Sequence, residues 1–124
     1  MKKTPPAPVE LLDLVETSLD DDKAQATVVI DLAGKTSLTD YMVIASGTSQ
    51  RQISAMATNL RDKIKASGID HVSIEGQSQC DWVLIDAGDV IIHLFKPEVR
   101  DFYNLEKIWD TPAGEGGHRS ELSA

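Results

Sequence analysis

Residues 81–109, DWVLIDAGDVIIHLFKPEVRDFYNLEKIW, gather Trp82, Asp86, Asp89, His93, Arg100, Tyr103 and Glu106 in one short stretch. Carboxylates, an imidazole, a guanidinium and aromatic rings at this density serve either an active site or a docking face. Asp86 and Asp89 offer the oxygen ligands that Mg²⁺ prefers. With the Gly47-Thr48-Ser49 helix start they suggest one enzymatic class, a metal-dependent nucleotidyl or phosphoryl transferase. The spacing argues against it. Two-metal chemistry needs carboxylates that share a face, whereas these two are three apart with a turn between them. Free N–H groups at a helix start attract anions, but Gly47-Thr48-Ser49 matches no P-loop or dinucleotide fingerprint and reads as a plain N-cap. His93 has no serine or cysteine placed as its partner, and His71 and His118 are distant, so a hydrogen-bonded structural histidine is the reading. A base, a nucleophile and an anion stabiliser are not assembled. These residues point to a binding module with no catalytic residues, metal or cofactor.

The elements that must position them follow from hydrophobic periodicity. Residues 1–8, with Pro5, Pro6 and Pro8, read as a disordered lead-in, because proline denies the chain helix and ladder hydrogen bonds. Val9, Leu12, Val15 and Leu19 form an amphipathic helix stripe. The following Asp20-Asp21-Asp22 reads as loop, since acids oppose the dipole at a helix C-terminus. Strands are expected over 27–32, 41–46, 71–74, 82–85 and 90–95. Between the second and third lies a helix opened by a Ser49–Gln52 capping box and buried through Ile53, Met56, Leu60 and Ile64, with Gly68 as its stop. Asp86-Ala87-Gly88-Asp89 is the turn of a hairpin. Period two puts Trp82 with Leu84 on one face and Val83 with Ile85 on the other; likewise Ile91, His93 and Phe95 oppose Ile92 and Leu94. A last helix runs from Pro97 to about Trp109, where Arg100 and Glu106 could pair with neighbours or with a partner. Residues 111–124, with three glycines and no apolar pattern, read as a disordered tail. The expected fold is α/β (α+β), a mixed sheet of about five strands flanked by helices.

Composition narrows the partners. A chain of 124 residues builds one domain around one core. Its net charge of −8 disfavours nucleic-acid binding through phosphates, which needs clustered Lys and Arg, and favours a basic partner. Cys80 is the single cysteine, so no internal disulfide forms, in keeping with a reducing cytoplasm. The basic start is followed by prolines rather than an apolar region, which argues against a secretory signal. No apolar run approaches a membrane span.

The segments TSLTDYMVIASGTSQRQISAMA, IEG, DWVLIDAGDVIIHLF and PEVRDFYNLEKIWD, in this order and spacing, resemble the ribosomal silencing factor (Iojap-like) family across residues 9–110. The resemblance implies a nucleotidyltransferase-like α/β fold without the catalytic carboxylates. It further implies binding to protein fourteen of the large ribosomal subunit at the subunit-joining face. That binding would sterically block the small subunit and repress translation. Absence of an Arg-rich, acid-poor leader fits the bacterial, cytoplasmic branch rather than the organellar one. Read with the residues, the resemblance places the contact on Trp82, Asp86, Asp89 and His93, with Glu75 and Asp81 on the rim. Arg100, Tyr103 and Glu106 either join that face or hold its shape. The transferase and a self-associating homodimer remain the alternatives.

Overall fold

The computed structural model describes residues 4–78 and 81–103. The chain folds as α1 (Pro8–Asp21), β1 (Gln25–Asp31), β2 (Tyr41–Ser46), α2 (Gln50–Ala66), β3 (Ser73–Glu75), β4 (Trp82–Asp86), β5 (Val90–Phe95) and α3 (Pro97–Tyr103). The five strands make one mixed sheet in the order β1-β2-β5-β4-β3. β2 and β5 pair in parallel at its centre, and every other pairing is antiparallel. The β4–β5 hairpin thus inserts between β2 and β3, the strands that α2 connects. Cys80, the expected helix beyond Tyr103 and the tail lie outside the described residues.

α1 and α2 cover one face of the sheet. Leu11, Val15 and Leu19 of α1 and Ile53, Met56, Ala57, Leu60 and Ile64 of α2 meet Val43, Ala45, Val83, Ile85, Ile92 and Leu94 in one dry cluster. Removing side chains of this size from water supplies roughly 1.5–3 kcal/mol each and accounts for most of the cohesion. A smaller cluster occupies the opposite face: Ile30, Leu32, Met42, Ile44 and Phe95, with Val28, Trp82 and Val99 of α3 packed against it. The alternation expected from period two holds in both strands of the hairpin.

Several boundaries differ from expectation, three of them with a clear physical cause. Proline occupies the first position of α1, where its missing N–H costs nothing, so the helix begins at Pro8. Asp20 and Asp21 belong to that helix rather than to the loop. The reason is a Schellman closure: Lys23, in the left-handed region at φ 66°, donates to Asp20 O at 3.0 Å, and Ala24 donates to Leu19 O at 2.9 Å. Asn59 and Gln52 of α2 then donate to Asp22, which ties the two helices together. The third strand starts at Ser73, not His71, because Ser73 already faces Asp86, the last residue of β4, and earlier residues have no ladder to join.

Candidate functional site

The sheet face away from α1 and α2 carries the polar and aromatic groups of the hairpin. Trp82 stands directly opposite Phe95, and His93 opposite Leu84 on β4 and Ile44 on β2. The three rings group together, with Trp82 and Phe95 centroids 5.1 Å apart and the His93 and Phe95 planes within 4° of parallel at 5.9 Å. Trp82 Nε1 donates to His93 Nδ1 at 2.9 Å. His93 is therefore the hydrogen-bonded structural histidine that the sequence suggested. It is 8% exposed, and burial lowers its pKa from the ordinary 6.5 to about 4, so the ring is neutral at pH 7.

The other expected contact residues fall in separate places. Asp86 and Asp89 are exposed at the turn, Asp86 about 13 Å along the strand from Trp82 at ordinary strand rise and Asp89 further out. Asp86 Oδ1 accepts the N–H of Gly88, whose φ of 87° the turn requires, and Asp89 O accepts from both Asp40 and Tyr41 at 3.0 Å. The turn is thereby stitched to the loop that precedes β2. Glu75 is exposed on the edge strand β3. Asp81 lies at the hairpin's open end, its carboxylate 3.5 Å from Lys96 Nζ. Arg100 is buried, and its Nη1 donates to Ser46 Oγ at 2.9 Å. Glu106 and the Tyr103 side chain lie outside the described residues.

No group of three or more His, Cys, Asp or Glu side chains converges on a metal position among the described residues. At the start of α2, Ser49 Oγ accepts the Gln52 N–H at 3.0 Å as a capping box requires. The return arm lands one residue early: Gln52 Oε1 accepts from Thr48 N at 2.7 Å and Thr48 Oγ1 at 2.9 Å. The Thr48 and Gln52 N–H groups are thus paired within the helix start itself.

Two residues of the site escaped the sequence reading. Ser46 was visible only as a strand end, although its hydroxyl receives the buried guanidinium. Gly76 has φ 86°, and a Cβ there would lie 2.2 Å from the Trp82 carbonyl oxygen. Its close approach lets β3 turn toward β4 just before Trp82. The Glu75-Gly76 pair was noticed as a motif, but only the packing supplies its reason.

Comparison with known proteins accords with this arrangement. Residues 5–123 match the family model described as ribosomal silencing factor during starvation. The chain is 61% identical over 102 residues to the ribosomal silencing factor of Zymomonas mobilis, covering 82% of this chain and 77% of that one. It is 37% identical over 101 residues to a Mus musculus protein named for mitochondrial assembly of the ribosomal large subunit, covering 79% of this chain and 44% of that one. A crystal structure from Chromobacterium violaceum superposes with a TM-score of 0.82 at 37% identity, covering 87% of this chain and 92% of that one. The α+β architecture, the ordered motifs and these likenesses agree: the chain belongs to the ribosomal silencing factor family.

Proposed function

We propose that this protein acts in the cytoplasm by docking on the large ribosomal subunit, through a basic protein of its joining face, and sterically keeps the small subunit from associating. Protein fourteen of the large subunit is the partner that the family resemblance suggests. The observation that carries the reading is the asymmetry of the sheet. One face is sealed by α1 and α2, whereas the other presents half-buried Val28, Trp82, Leu84 and Ile91 beside an exposed acidic turn. An apolar patch containing tryptophan and rimmed by charge is the ordinary anatomy of a protein contact.

Charge supports the choice of partner. A ribosomal protein seated in RNA presents Lys and Arg, and a chain of net charge −8 is steered toward it. The same charge disfavours adventitious binding to exposed RNA. The mouse relative's name, which concerns the large subunit, supports the choice of subunit. In this reading Trp82 is the anchor, Asp86, Asp89, Glu75 and Asp81 supply charge at the rim, and buried His93 and Arg100 keep the face in shape. Pelleting with purified large subunits tests it: Asp86→Lys, correctly folded, binds more weakly than the wild type. Equal binding would remove the turn from the contact.

A further inference from the structure

An indole on a sheet face has one N–H to satisfy, and this donor helps to decide where the ring rests. In water it would bond solvent in several rotamers. Here the diagonal cross-strand neighbour, His93, supplies the acceptor at 2.9 Å. Acceptance by Nδ1 demands a lone pair on that nitrogen, which in a neutral imidazole places the proton on Nε2. His93 is itself immobilised, 8% exposed and stacked nearly parallel on Phe95 at 5.9 Å. Phe95 in turn stands directly opposite Trp82, so the indole is held by a tilted ring contact and a hydrogen bond together.

We infer that His93 is a positioning residue: it contacts no partner itself but holds Trp82 in the single orientation in which the indole docks. The inference rests on the reading of the Trp82 face as the contact face. Locking a side chain before association removes an ordering cost that would otherwise weaken binding. A ring of similar shape without an acceptor loses that lock. An amide at the same position, whose carbonyl oxygen can take the indole N–H, restores it.

The test compares the full-length wild type with His93→Phe, His93→Gln and Trp82→Ala, titrated against purified bacterial large ribosomal subunits. The expected order is wild type close to His93→Gln, His93→Phe weaker by about 3- to 10-fold, and Trp82→Ala weaker still. Nitrogen-15 NMR of the wild type alone is a second readout, independent of whether any variant folds. It should show an unprotonated Nδ1 and a Trp82 indole proton protected from solvent exchange. A folded His93→Phe that binds like wild type, while Trp82→Ala does not, overturns the positioning role and leaves the docking face standing. Wild-type binding by Trp82→Ala overturns both. A proton on Nδ1 in the wild type also overturns the positioning role.

Discussion

Arg100 of α3 reaches the C-terminal end of β2, where its Nη1 donates to Ser46 Oγ at 2.9 Å. Both residues are buried, and Gly47, which follows Ser46, is packed so closely that a Cβ would lie 2.6 Å from Ile53. The bond therefore joins the last described helix to β2 at the point where the chain turns into α2. Ser46→Ala leaves a buried charged donor without this acceptor and should cost about 1–3 kcal/mol. Urea unfolding measures the loss as a lower midpoint at unchanged slope. A change within about 0.3 kcal/mol would show that the bond contributes nothing to stability.

Ser18 makes the opposite case. It is 1% exposed on α1, and its hydroxyl has no hydrogen-bond partner among the described residues. Ser18→Ala removes an unsatisfied buried polar group and adds a better helix former, so a gain of about 1 kcal/mol is expected. Thermal unfolding would register it as a higher Tm. A lower Tm would mean that the hydroxyl is bonded in solution.

The two hairpin-side glycines separate strain from collision. Gly76 and Gly88 have nearly equal φ, 86° and 87°, yet a Cβ on Gly76 meets backbone at 2.2 Å while one on Gly88 meets open space. Gly88→Ala should cost about 1 kcal/mol, the penalty of a left-handed residue alone. Gly76→Ala should cost more than about 2 kcal/mol and loosen the β3 pairing, because a carbonyl oxygen cannot step aside. Equal losses in paired urea curves would contradict the packing argument.

His93 makes stability depend on acid. Its pKa in the folded chain, about 4, lies below the ordinary 6.5, so the unfolded chain binds the proton first as pH falls. Stability from this group is complete above pH 6.5 and is lost progressively toward pH 4. By pH 4 the loss reaches roughly 3 kcal/mol. His93→Gln lacks this titration, so the wild type should lose that much more than the variant between pH 7 and pH 4. Parallel acid dependence in the two proteins would mean that the ring is not buried as a neutral base.

Local pattern carried much of this architecture. Tyr41–Ser46 and Val90–Phe95 were legible to the residue, because each is an apolar run bounded by turn formers, and the face assignments of Trp82, Leu84, His93 and Phe95 followed from period two. Strand order was not legible, since seating β5 between β2 and β4 depends on contacts far apart in sequence. For the same reason the Trp82–His93 bond could not be read in advance: sharing a face is local, but being diagonal neighbours requires the register. Asp20 and Asp21 were misjudged because the cap that closes α1 uses Lys23 where glycine is usual. Burial of Arg100 has no signature in its own neighbourhood, since its acceptor stands on a strand of another part of the chain.

In the proposed function this chain occupies the large subunit and keeps the small one away. The decisive experiment is a sucrose gradient of separated ribosomal subunits, brought to joining conditions with and without the protein. A smaller peak of joined ribosomes is expected, with free subunits in its place and the protein travelling with the large subunit. An undiminished joined peak with the protein left at the top of the gradient would contradict it.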